Sequence, residues 1–191
     1  TPTKAWKKQT HDKDWVIGDT VNASIGQGYM LSSPMQLAVM TARFATGRSV
    51  NPRLVKSIDG VEQPNGAGAP MPLDPENLRK MRRAMFAVVN DRRGTAYGSR
   101  IIAEGMRMAG KTGTSQVRNI SSAERARGVI RNADLPWNRR DHALFVDFAP
   151  ADNPKYAVAV VVEHGGGGST AAAPIARDIT LQALYGGEPP L

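Results

Sequence analysis

Two apolar runs constrain the architecture of this chain more than any other feature. Ala143-Leu144-Phe145-Val146-Asp147-Phe148-Ala149 and Tyr156 to Glu163 are separated only by Pro150-Ala151-Asp152-Asn153-Pro154-Lys155. Parallel strands need a crossover of about a dozen residues or more, so this turn-rich link dictates an antiparallel hairpin. A lone hairpin is marginal in water and needs another strand or a helix against it. Met108 to Gln116 also reads as a strand.

Helices are expected on either side of it in sequence. Ser33-Pro34-Met35-Gln36 is a strong start, with Ser33 as N-cap, Pro34 at the first helical position and Gln36 completing a capping box. Leu37, Met40, Thr41 and Phe44 then share a face, and Gly47 can close the helix in a left-handed cap. Asp74-Pro75-Glu76 starts a second helix with an apolar stripe of Leu78, Met81, Met85 and Val88 or Val89. A last helix is expected to be capped by Ser169 or Thr170, to bury Ile175, Ile179 and Leu184, and to end at Gly186-Gly187. The expected order is helix, helix, strand, strand, strand, helix.

The rest reads as connection. Residues 1–24 are polar and form a surface loop anchored by Trp6 and Trp15, with Gly18-Asp19-Thr20 as a turn. Two glycines around Gln27 allow unusual backbone angles and close approach. Leu54 to Ile58 alternates weakly as a strand, Gln63 to Pro72 is a Gly/Pro loop, and arginine-rich Arg118 to Arg140 is a long, mobile loop. With 191 residues, 41% of them hydrophobic, one sizeable core can form.

Chemistry concentrates in the strand Met108-Ala109-Gly110-Lys111-Thr112-Gly113-Thr114-Ser115-Gln116. Strand parity sends Thr112, Thr114 and Gln116 to one face and Lys111, Gly113 and Ser115 to the other. Lys111 can hold a carboxylate as a point charge, Thr112 can donate to it, and Gly113 lets a ligand backbone approach. An exposed N–H on Thr114 could face a developing oxyanion.

Other chemistries are disfavoured. His11, His142 and His164 lie far apart and lack zinc-ligand spacing, so satisfied or solvated roles are expected, with no metal and no cofactor. Gly165 to Gly168 is not followed by the Lys-Ser/Thr of a phosphate loop. The net charge of +8 fits an anionic polymer or lipid surface, or a solvated basic face, and no zinc or aromatic-basic pattern points to nucleic acid. No run approaches a membrane span, and the start has no signal-peptide pattern. No serine is followed three positions later by lysine, and Ser49-Val50-Asn51 sits in a helix exit, where it reads as a turn.

Taken together, Trp6…Trp15…Gly18-Asp19-Thr20, Ile25-Gly26-Gln27-Gly28-Tyr29, Ser33-Pro34-Met35-Gln36-Leu37-Ala38, Gly94-Thr95-Ala96, Gly110-Lys111-Thr112-Gly113-Thr114-Ser115-Gln116, and Arg140-Asp141-His142 leading into Phe148-Ala149-Pro150 resemble the C-terminal half of the transpeptidase domain of class B penicillin-binding proteins. The resemblance is strongest to the cell-elongation branch. It implies the α/β (α+β) fold of the serine β-lactamases and penicillin-binding proteins, an antiparallel five-stranded sheet flanked by helices with the Lys111 strand at its edge, incomplete in this chain: residues 1–32 as a lead-in loop, 33–105 as a helical part, and 106–191 as sheet strands and final helix. It also implies a peptidoglycan D,D-transpeptidase working through a serine acyl-enzyme on D-Ala-D-Ala stem peptides. Lys111, Thr112, Gly113 and Thr114 would be the catalytic-site residues, with Gln27, Gln116 and the Gly165–Gly168 loop at the groove. Implied partners are stem peptides, β-lactam antibiotics, a SEDS-family glycosyltransferase and elongation-complex scaffold proteins. The implied location is the periplasm, behind a single-pass inner-membrane anchor upstream. The Ser-x-x-Lys nucleophile belongs to a preceding part, so the chain by itself is expected not to acylate. The alternative is a non-catalytic scaffold or binding module of the same fold, docking elongation partners.

Overall fold

In a computed structural model, residues 2–64 and 68–186 are described. They form two compact units, divided between Ser33 and Pro34.

The N-terminal unit is helical, which corrects the loop expected there. Helix α1 (Lys4–His11) is capped by Thr3, whose hydroxyl accepts the Trp6 N–H at 3.1 Å. Helix α2 (Ile17–Ser24) contains the Gly18-Asp19-Thr20 stretch expected to be a turn. Asp19 reaches back from the first turn to the Val16 N–H at 2.8 Å and also pairs with the buried Lys7 ammonium at 2.6 Å. That ammonium also donates to the Asp14 carbonyl at 2.8 Å. Trp6, His11 and Tyr29 pack ring to ring beside it, with centroids 5.0 to 5.5 Å apart. Gly26 and Gly28 both have positive φ, as the spacing around Gln27 required.

The C-terminal unit is built on an antiparallel sheet of order β3-β4-β5, comprising β3 (Ala109–Ser115), β4 (His142–Ala149) and β5 (Tyr156–Val162). The short β1 (Ser57–Ile58) and β2 (Val61–Glu62) form a separate exposed hairpin, so the strand expected from Leu54 shrinks to its last two residues. Register pairs Gly110 with Asp147, Thr112 with Phe145 and Thr114 with Ala143. Every β4 residue from Phe145 to Ala149 is buried because helices cover both faces, which is why the run is apolar without alternation.

On one face Ala143, Phe145 and Ala149 meet Ala172, Ala173 and Ala176 of the final helical segment. On the other, Val146 and Phe148 meet Ala45 of α3 (Pro34–Thr46) and Met85 of α4 (Pro75–Asn90). Helix α3 ends at Gly47 as expected: its φ is +69°, and a Cβ there would stand 2.8 Å from Leu78, so the helix end closes tightly on α4. The Asn90 amide donates to the Met108 carbonyl at 2.9 Å and ties the end of α4 to the entrance of β3.

Two expectations about the last helix fail. A π-helical turn over Gly168–Ala172 precedes α6 (Ala173–Tyr185), so Ser169 and Thr170 lie inside that turn instead of capping a helix. The buried stripe is Ala173, Ala176 and Thr180, while Ile175 and Ile179 are nearly half exposed. Small side chains let α6 lie close to the sheet, and that proximity, not side-chain size, selects the inward face. Leu184 does pack against the core, and Gly186 ends the helix with φ +67°; Gly187 lies outside the described residues. In α3 and α4, Met40 and Met81 likewise point outward, leaving Thr41, Ala45, Met85 and Val89 buried. The Gln63–Pro72 connection, described except for 65–67, holds no helix or strand among its described residues beyond a bridge between Pro70 and Arg48.

Candidate active site

Burial changes abruptly along β3. Ala109 and Gly110 are buried, and from Lys111 onward the strand is partly or fully exposed. Among the described residues the strand pairs with β4 on one side only, so its other side is an open edge. The Lys111 ammonium donates to the Thr112 carbonyl at 2.6 Å, which places that carbonyl on the open edge. Antiparallel ladders alternate between inward and outward backbone pairs, so the Thr112 and Thr114 N–H and C=O groups share this rim. Parity divides the side chains as read from the sequence: Lys111 and Gly113 lie opposite Val146 and Leu144, Thr112 and Thr114 opposite Phe145 and Ala143. Gln116 is exposed and falls one residue beyond β3, where parity no longer fixes its direction.

Neighbours complete the rim. Thr95 lies 3.1 Å from Thr112, hydroxyl to hydroxyl. Sequence reasoning quoted Gly94-Thr95-Ala96 without assigning it a role, and the motif itself was the available signal. Gly168 lies over the far side of Gly113; a Cβ on it would come within 2.6 Å of the Gly113 oxygen and 2.4 Å of the Leu144 oxygen. Only a glycine lets the turn approach the strand this closely. The Gly165–Gly168 loop is therefore brought against β3. Gln27 belongs to the N-terminal unit, where its N–H donates to the Asn22 carbonyl at 2.8 Å.

The segment expected to be a long, mobile loop after β3 is instead built. It contains α5 (Ser122–Arg127) and two short 3-10 turns, Asn132–Asp134 and Trp137–Arg139. Arg118 grips Glu124 through two bonds of 2.7 Å. The guanidinium holds the Glu124 carboxyl below its ordinary range, against the opposing effect of burial. Asn132 and Asp141 exchange two hydrogen bonds, of 2.8 and 2.9 Å, and close the segment onto the start of β4. The histidines that looked remote also meet: His142 and His164 have ring centroids 4.7 Å apart.

Beneath the rim, Asp147 is fully buried on β4 opposite Gly110. The Thr180 hydroxyl donates to its Oδ1 at 2.8 Å, and Oδ2 has no hydrogen-bond partner among the described residues. Burial raises the carboxyl to about 7, with the Thr180 bond opposing. Ser49 and Asn51 are occupied structurally, Ser49 donating to the Ala69 carbonyl and Asn51 accepting from Arg43. An apolar groove lined by Met35, Met40, Phe44 and Met71 shares no residue with the rim.

A model of the penicillin binding protein transpeptidase domain matches residues 2–181. The chain is 38% identical over 187 residues to peptidoglycan D,D-transpeptidase MrdA of Haemophilus influenzae, covering 93% of this chain and 28% of that protein. It thus spans little more than a quarter of that curated relative. Among solved structures it is similar to Pseudomonas aeruginosa PBP2 in complex with WCK 5153, with TM-score 0.74, 39% identity, and 96% of this chain and 37% of that one covered. It is also similar to PBP2 in its complex with MreC from Helicobacter pylori, with TM-score 0.74, 32% identity, and 97% and 30% covered.

Proposed function

We propose, from the premise that this chain belongs to the penicillin-binding protein transpeptidase domain family, that it supplies the substrate-gripping half of a peptidoglycan D,D-transpeptidase of the cell-elongation type. The observation that carries the reading is the open rim of β3, where a cation, two threonine hydroxyls and outward backbone groups line up beside Gly113.

In this reading an extended D-Ala-D-Ala stem peptide lies along the rim as an added strand. Lys111 and Thr112 hold its terminal carboxylate, and the Thr114 N–H forms half of an oxyanion hole. Gln116 and the Gly165–Gly168 loop border the groove. A serine from a preceding part of the protein, in a Ser-x-x-Lys setting, attacks the penultimate D-Ala carbonyl. The C–N bond breaks, D-Ala leaves with the proton taken from the serine, and an amine of a neighbouring stem displaces the ester to form the crosslink and restore the serine. β-Lactams acylate the same serine. MreC, seated on the Helicobacter pylori relative, and a SEDS-family glycosyltransferase are the partners this reading carries, in the periplasm behind an upstream anchor.

The test uses a protein in which this chain follows its preceding half. Incubation with a fluorescent penicillin should give a covalent adduct whose mass maps to a serine N-terminal to this chain, while the chain alone stays unlabelled. Absence of an adduct on the longer protein would sink the reading.

A further inference from the structure

The His142–His164 contact is unused by the rim chemistry, yet it has the geometry of a fastening. His164 has a left-handed φ of 55°, a conformation that costs energy in a residue with a side chain. Two hydrogen bonds hold it there. Its N–H donates to His142 Nδ1 at 2.9 Å, and its own Nδ1 lies 2.8 Å from the Arg140 carbonyl. A carbonyl can only accept, so His164 carries its proton on Nδ1, while His142 Nδ1 is the acceptor. Trp137 closes edge-on over His164 with centroids 4.5 Å apart. Gly166 then donates to the Asp141 carbonyl at 2.9 Å. The turn leaving β5 is thus stitched to Arg140, Asp141 and His142, and His142 pairs across the ladder with Ser115 at the end of β3. Two residues beyond Gly166, Gly168 rests on the Gly113 backbone.

We infer that His142 and His164 are positioning residues: an imidazole staple that sets how closely the glycine turn stands against Gly113 and Thr114. The inference rests on the transpeptidase reading of the rim. What the staple requires of His142 is a lone pair at the reach of Nδ1, aimed at one backbone N–H. A phenylalanine ring keeps the shape without the acceptor, and an asparagine carbonyl keeps an acceptor without the ring.

The experiment compares the longer protein with its His142→Phe, His142→Asn and His164→Gly variants. It reads the second-order rate of acylation by a fluorescent penicillin, the melting temperature, and amide hydrogen exchange over residues 163–168. His142→Phe should acylate about five- to ten-fold more slowly, with faster exchange in that segment, and His142→Asn should return the rate to within about two-fold. Equal rates in all the proteins, or equal slowing by Phe and Asn, would overturn the proposal. Should His142→Phe fail to fold, His164→Gly decides: glycine accepts the left-handed angle and keeps the N–H but loses the Arg140 bond. An unchanged rate and exchange in His164→Gly would refute the staple. If the unvaried protein is not acylated at all, the transpeptidase reading has failed, and the exchange contrast at 163–168 still decides the staple by itself.

Discussion

The two halves of β3 share one ladder and obey opposite rules. Ala109 and Gly110 are packed on both faces, so each side chain there is chosen by space and by the buried Asp147 across the strand. From Lys111 to Ser115 the strand is held by backbone bonds to β4 while its side chains stand partly or fully free. Because backbone pairing does most to hold the outer half in place, its side chains are free for chemistry. Substitutions should therefore separate cleanly: outer changes alter reactivity and leave stability, inner changes do the reverse.

The largest separation is expected at Lys111. In the longer protein, Lys111→Ala should slow acylation by a fluorescent penicillin about 10²- to 10³-fold. Its melting temperature should stay unchanged, and a parallel fall in both would erase the distinction between the halves.

Asp147 gives the inner counterpart, through pH. Its carboxyl is raised from 3.8 to about 7 by burial. Below 3.8 folded and unfolded chains both carry the proton, and the full stability is present. As pH climbs from there toward 7 the folded chain keeps a proton that the unfolded chain releases, so stability declines, on the order of 4 kcal/mol across the window. Asp147→Asn should remove that decline in urea unfolding measured from pH 4 to 8, without changing acylation. A slope that survives the substitution would place its origin elsewhere.

Glycines test the same boundary sterically. A Cβ at Gly110 would lie 2.6 Å from the Phe145 ring and 2.7 Å from the Val146 oxygen, whereas at Gly113 the nearest atom, Leu144 Cβ, is 3.2 Å away. Gly110→Ala should cost about 1–3 kcal/mol in denaturant unfolding and Gly113→Ala clearly less. Equal costs would mean that the outer half is packed as well. The smallest effect belongs to Thr95, which touches the rim only through the Thr112 hydroxyl. Thr95→Val should slow acylation by about two- to five-fold.

What could be read from the residues follows the range of the forces involved. The β4–β5 hairpin, the β3 strand with its parity, the Pro34 helix start and the Gly47 cap are local matters of periodicity, turn chemistry and backbone angle, and all appear as expected. Helices α1 and α2 escaped notice because both are short and rich in polar residues; the Lys7–Asp19 pair and the Trp6–His11–Tyr29 cluster join residues that only folding brings together. The phase of α6 was misread because large residues were assumed to face inward, although alanines allow the closer seat. At the candidate site Lys111, Thr112, Gly113 and Thr114 were legible as one strand. Thr95 and the two stapling histidines were not, since nothing in their spacing says that they converge.

An unpartnered strand edge is also an adhesive surface: its outward N–H and C=O groups will zip onto any extended chain that offers the complementary row, including another copy of itself. Lys111 stands on that edge, and two such edges brought together would place two ammonium charges on one short ribbon. In the proposed reading, the cation that grips a carboxylate tail would also keep the rim vacant for it, so a neutral residue at 111 would forfeit recognition and solubility in a single substitution.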